Sequence, residues 1–262
     1  MPELPDVEGF RRVAEGAAGR IVRSVAVRDA QVVRNAEASG FDAALRGRRL
    51  GHPRRHGKLL LLPTGSGRGF PAVLLHFGMT GMLLRTDAGD PPHPHDRVVV
   101  SLDRGELRYR DQRKLIGIAL LTEQGGWQAE LSRLGPDAAA IDRDELRDRL
   151  GRTRRQLKAA LLDQTRVAGL GNLTVDEVLW RARLHPRTAT TDLRAPDWRR
   201  LDQRLHGVVA ASARAGCVPP RPSWLTGHRD ERAGRCPRCA TELTSGVLSG
   251  RTTVWCPSCQ RA

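Results

Sequence analysis

Four cysteines near the end of the chain have the spacing of a metal site. Cys236-Pro-Arg-Cys239 and Cys256-Pro-Ser-Cys259 are two CxxC knuckles separated by sixteen residues. Each knuckle offers two thiolates, and a pair of knuckles builds the tetrahedral sulfur shell that Zn2+ favours, with bonds of about 2.3 Å. Disulfide pairing is the competing chemistry. The opening residues, Met1-Pro2-Glu3-Leu4-Pro5-Asp6, lack the basic and apolar segments of a secretory signal, which argues against it. One structural zinc ion on Cys236, Cys239, Cys256 and Cys259 is therefore expected. Cys217 receives no role.

The other end of the chain offers a nucleophile. Pro2 is small enough for Met1 to be removed, which exposes a secondary amine. An α-amino group titrates near pH 8, roughly two to three units below lysine, so an appreciable fraction is unprotonated at neutral pH. Attack of such an amine on a sugar aldehyde carbon gives an iminium, which is cationic without a proton and acts as an electron sink. Glu3, next in the chain, is placed to shuttle protons.

Charge narrows the partner. Lys and Arg number 44 against 29 Asp and Glu, a net charge of +15, and only Lys58, Lys114 and Lys158 are lysines. Each lysine stands out among 41 arginines, because arginine cannot replace a titratable amine. Such an excess points to a polyanion, nucleic acid ahead of an acidic membrane surface. With 28% charged and 39% hydrophobic residues, wholesale disorder is excluded. No apolar run approaches the roughly 18 residues of a membrane-spanning helix.

These residues need a scaffold. A first helix is expected from Pro5, with Val7, Phe10, Val13, Ala14 and Ala17 on one face. Residues 20–121 read as β-rich, with apolar strands at 21–27, 58–62, 72–77, 98–100 and 116–120. Turn clusters at 63–67 and 90–94 separate them. Helices are expected to open at Asp142 and to span 153–162, 175–183 and 195–215. The fold class is α+β: an antiparallel β-sandwich with a flanking helix over 1–131, a helical domain over 132–226, and a zinc ribbon over 227–262.

Taken together, the motifs resemble those of the formamidopyrimidine-DNA glycosylase and endonuclease VIII family. The matching segments, in order, are Pro2-Glu3-Leu4-Pro5-Asp6-Val7-Glu8, Gly57-Lys58, His76-Phe77-Gly78-Met79-Thr80-Gly81 and Asp111-Gln112-Arg113-Lys114. Gly169-Leu170-Gly171-Asn172 follows, with Asp176-Glu177, His185-Pro186 and the ribbon with Gly250-Arg251-Thr252. The match spans essentially the whole chain.

The resemblance implies a base-excision-repair glycosylase with AP lyase activity, with a helix–two-turns–helix module between sandwich and ribbon. Pro2, Glu3 and Lys58 would be catalytic. Met79 and Arg113 would fill the gap left by an extruded base, since enzymes acting on a base in a duplex must flip it out. Leu115 stands where an aromatic wedge is common. His95, Lys158, Asn172 and Arg251 would contact DNA, with the Gly169–Gly171 backbone approaching a phosphate, and Glu177 would support the active site. Thr174 replaces a frequent tyrosine, and residues 216–235 are shorter than the usual lesion-capping region. Both departures favour broad action on oxidised bases or abasic sites over a strict 8-oxoguanine preference. A monomer on damaged double-stranded DNA, cytoplasmic and nucleoid-associated, is expected. The competing class is a non-catalytic, lesion- or structure-specific DNA-binding zinc-ribbon protein.

Overall fold

The computed structural model describes residues 1–35, 37–65 and 70–261. Ser66 and Gly67, assigned above to a turn, lie outside the described residues. The chain forms two compact units: Met1–Pro2 with Asp6–Arg133, and Glu3–Pro5 with Leu134–Ala262.

The first unit is an antiparallel sandwich. One sheet has the order β1 (Val22–Val27), β6 (Asp96–Leu102), β7 (Glu106–Arg110), β5 (Met82–Thr86). The other has the order β2 (Arg54–His56), β3 (Leu59–Pro63), β4 (Ala72–His76), β8 (Gly117–Leu121). Inner-face residues of both sheets share one core: Val22, Leu83 and Leu107 from the first, Leu60, Leu75 and Ile118 from the second. Val7 of α1 (Leu4–Glu15) and Phe41 of α2 (Ala38–Leu45) close it. The short helix α2 is not evident from the sequence, because Ala38–Leu45 carries only two large apolar residues, Phe41 and Leu45. Burial of those two supplies its stability, about 1.5–3 kcal/mol for each side chain. Helix α3 (Gln124–Ser132) ends the unit.

The second unit gathers α4 (Arg143–Gly151), α5 (Leu157–Leu162), α6 (Asn172–Ala182) and α7 (Ala195–Ala215) around one apolar core. Asp142 caps α4 by accepting the Glu145 N–H at 2.8 Å. Helix α7 starts where Asp197 accepts the Arg194 N–H and stops at Gly216, whose φ of 73° is the left-handed cap. Its buried positions 198, 201, 205, 208, 209 and 212 follow the helical period. Two expected helices change extent. The one expected over 153–162 is helical only from Leu157, because Gln156 bridges to Ala189. The one expected from Val175 starts three residues earlier, at Asn172, directly after the glycine turn. The hairpin of β9 (Thr244–Leu248) and β10 (Arg251–Trp255) completes the chain. Among the described residues, no helix is long and apolar enough to cross a membrane.

Candidate functional site

The Glu3 carboxylate is seated on the first turn of α6. Its Oε1 accepts the Leu173 N–H at 2.8 Å, while Oε2 accepts the Thr174 N–H at 3.0 Å and the Thr174 hydroxyl at 2.5 Å. First-turn N–H groups have no partner inside a helix, and the positive end of the dipole favours an anion. Gly171 makes the seat possible, since a Cβ there would stand 2.1 Å from Glu3 Cδ. The Leu4 N–H donates to the Gly169 carbonyl at 2.9 Å and fixes the main chain beside it. Two first-turn donors that follow the Gly-Leu-Gly turn, those of Leu173 and Thr174, thus receive the chain's own carboxylate. Pro2, the preceding residue, is half-buried, and Met1 is exposed.

Lys158 is corrected. It was expected at a DNA phosphate, yet its side chain is fully buried, with Nζ 2.6 Å from Asp176 Oδ1. Arg229 Nη1 lies 3.0 Å from Asp176 Oδ2, and the Val254 N–H donates to the same oxygen. Burial lowers the Lys158 ammonium and raises the Asp176 carboxyl from their ordinary values, and their mutual attraction opposes both shifts. The Thr252 carbonyl accepts from Lys158 Nζ, Arg229 Nη2 and, at 2.8 Å, Asn172 Nδ2. These bonds tie α5 and α6 to the ribbon hairpin. Arg251 is exposed, next to a turn in which Ser249 and Gly250 both have positive φ.

Glu177 is fully buried, and both its oxygens are engaged. Oε1 accepts from Arg181 Nε at 2.7 Å and Oε2 from the Thr226 N–H at 3.1 Å. Burial raises its carboxyl above the ordinary value. Its work here is to anchor the 225–227 turn to α6. Arg181 in turn stacks on Trp224 at 4.5 Å.

The four cysteine sulfurs lie within 4.8 Å of one another. The Cys239–Cys256 and Cys236–Cys259 separations are 3.5 and 3.9 Å. A tetrahedron with metal–sulfur bonds of about 2.3 Å has edges of about 3.8 Å, so the donor set fits one metal ion. Trp180 Nε1 donates to Cys236 Sγ at 3.4 Å, an outer-shell bond of the kind that orients a ligand.

In the first unit, Met79 and Leu115 are 42% and 50% exposed. Arg113 Nη1 sits 3.0 Å from Met79 Sδ. The loops carrying them are braced by buried Asp111, whose Oδ1 accepts from the Thr80 hydroxyl at 2.6 Å and the Arg113 N–H at 3.1 Å. The Asp111 N–H donates to the His95 carbonyl, which links the half-buried His95 to the same framework. Asp96, beside it, is held by Arg108 and Arg110. Lys114 turns away to Asp29 and Gln31. Lys58 occupies the turn between β2 and β3; burial keeps neighbouring His76 neutral, and the Lys58 charge adds to that.

Comparison with known proteins follows this geometry. The N-terminal domain of formamidopyrimidine-DNA glycosylase matches residues 1–118, and the H2TH domain of the same enzyme matches residues 134–218. This chain belongs to the formamidopyrimidine-DNA glycosylase family. A family member from Parafrankia sp. is 40% identical, with 99% of this chain and 98% of that protein covered. Another, from Acidothermus cellulolyticus, is 37% identical over 99% and 97%. The Lactococcus lactis Fpg in complex with DNA containing an abasic site superposes with a TM-score of 0.88 at 27% identity, covering 99% of this chain and all of that one. A complex of the same enzyme with DNA containing N7-benzyl-Fapy-dG gives 0.88 at 27%, with both chains fully covered.

Several residues of this framework escaped the sequence reading. Thr174 registered only as a departure from a tyrosine, and Asp176 only as part of a motif. Asp111 lies in the Asp111-Gln112-Arg113-Lys114 motif, whose residue types give no sign of its bracing role. Arg229 and the Thr252 carbonyl gave no signal, because their partners lie 53 and 94 residues away.

Proposed function

We propose that this protein is a bifunctional DNA glycosylase and AP lyase that removes oxidised or ring-opened bases from duplex DNA. The observation that carries the reading is the Glu3 seat: the carboxylate next to Pro2 is held out of bulk solvent by three donors. With Met1 removed, the Pro2 nitrogen attacks C1′ of the damaged nucleotide. The bond from C1′ to the base breaks, and the base leaves with the electron pair and takes up a proton. Opening of the C1′–O4′ bond gives the iminium. Loss of a C2′ proton then expels the 3′ phosphate, and a second elimination expels the 5′ phosphate. Glu3 relays the protons, and Lys58 assists at the sugar–phosphate.

Met79, Arg113 and Leu115 fill the vacated stack, while His95, Asn172 and Arg251 steady the backbone. Glu177 supports the site by fixing the 225–227 turn. The ion on the four cysteines is Zn2+, with a structural role. The second unit reads as a helical module to 226 and a ribbon from 227, after a sandwich domain ending near 131. The protein works as a monomer in the cytoplasm, associated with the nucleoid. The shortened 216–235 segment favours a broad range of oxidised bases.

Borohydride trapping on a duplex with one abasic site tests the chemistry. A covalent protein–DNA adduct is expected from wild type and not from Pro2→Gly. No adduct from wild type on abasic or damaged duplex would leave a DNA-binding protein without lyase chemistry.

A further inference from the structure

Thr174 lies at the third position of α6 and is fully buried. A threonine inside a helix usually turns its hydroxyl back to the carbonyl four residues earlier. Here that carbonyl belongs to Leu170, which precedes the Gly171 cap and so lies outside the helix; it accepts from Gln164 Nε2 at 3.0 Å. The same Gln164 side chain accepts the Gly169 N–H through Oε1, which pins the glycine turn from both sides. The Thr174 hydroxyl donates instead to Glu3 Oε2 at 2.5 Å. That oxygen therefore holds two donors from one residue, the Thr174 N–H and O–H, while Oε1 takes the Leu173 N–H. The two main-chain donors reach different oxygens and set the carboxylate's approach to the helix end. The Thr174 hydroxyl adds a donor on a β-branched side chain, whose χ1 is stiff, and so tightens that orientation further.

We infer that Thr174 is the positioning residue for Glu3: its hydroxyl fixes the orientation in which the carboxylate relays protons beside Pro2. A tyrosine at this position cannot do the same, because its hydroxyl lies a ring's length beyond Cβ. The inference rests on the proposed role of Glu3 as proton relay. Thr174 is fully buried, so its effect is expected on the chemical step and not on DNA affinity.

The test compares Thr174→Ser with Thr174→Ala, which lose the same methyl and differ only in the hydroxyl; Thr174→Val adds the shape-matched variant. Single-turnover base release is measured on a duplex carrying one ring-opened guanine, and binding on a duplex carrying a stable abasic analogue. The alanine and valine variants are expected to release base about tenfold more slowly than wild type, with binding changed by no more than about twofold. The serine variant is expected to recover most of the rate. Equal rates in the serine and alanine variants overturn the inference, as does a loss that appears wholly in binding. Should the valine variant melt well below wild type, the serine–alanine pair decides alone. Glu3→Gln, run alongside, separates the two levels. Base release at the wild-type rate in that variant removes Glu3 from the chemistry, whereas slow release there with a wild-type rate in the alanine variant overturns only the role of Thr174.

Discussion

The ammonium of Lys158 and the carboxylate of Asp176 meet at 2.6 Å with both side chains closed off from solvent. Arg229 shares the carboxylate and also lies 3.5 Å from the exposed Asp230, so two cations meet at one buried carboxylate, and the Thr252 carbonyl accepts from both. The two obvious substitutions are therefore unequal. Lys158→Met leaves a balanced Asp176–Arg229 pair, whereas Asp176→Asn leaves two buried cations facing each other. Asp176→Asn is expected to cost about 3–5 kcal/mol and Lys158→Met clearly less. Urea denaturation of both variants checks the order; the reverse ranking would falsify this account of the cluster.

Arg251 and Lys158 part company in salt. Arg251 is exposed at the hairpin tip, and its replacement by Ala is expected to reduce the slope of log affinity against log salt by about 0.9. Lys158→Met is expected to leave that slope unchanged, because a buried, paired ammonium releases no counterion from DNA. Anisotropy titrations on an abasic-analogue duplex at several salt concentrations measure both.

Met79 and Leu115 hold little of the fold. Both are exposed, so alanine at either position is expected to change stability by less than about 0.5 kcal/mol. The proposed wedge role predicts a different loss, in the preference for damaged over intact duplex. Retention of full preference in the double variant would remove both residues from the wedge.

His76 links acidity to the turn that carries Met79. Its Nδ1 accepts the Gly78 N–H at 3.0 Å, and burial, with Lys58 and Arg34 adding to it, lowers its pKa to about 4. The unfolded imidazole titrates near 6.5, so between those values the unfolded chain binds the proton more readily. Stability is therefore lost as pH falls from about 6.5 to about 4, with roughly 2 kcal/mol of the loss between pH 7 and pH 5. Denaturation midpoints at those two pH values are expected to lie closer together in His76→Gln.

Much of this architecture can be read from local pattern. The strands at 59–63 and 72–76, the cap at Asp142 and the whole of α7 follow from periodicity and end signals that lie within a few residues of each other. The CxxC spacing likewise brings four sulfurs together. What the sequence conceals is partnership at a distance. A lysine before a glycine turn looks like a phosphate ligand until Asp176, eighteen residues on, claims it. Gly171 looks like an anion cradle, and it is one, but the anion comes from residue 3. Residue type announced a charge to be met; only the fold could say by whom.

Metal removal offers an optical readout. Trp180 bonds to Cys236 Sγ, so extraction of the ion by a strong chelator is expected to shift the tryptophan emission and to loosen the ribbon. Trp180→Phe is expected to lose most of that signal and to release the ion faster.

The Glu3 seat also has a schedule. Its donors are Leu173 and Thr174, some 170 residues further along the chain. At synthesis rates of about 5–20 residues per second, roughly ten to thirty seconds of translation separate the two halves of this contact. Throughout that interval Glu3 is without these two helix donors. Seating of its carboxylate waits for α6, so the amino-terminal turn is among the last parts of the chain to reach its final arrangement.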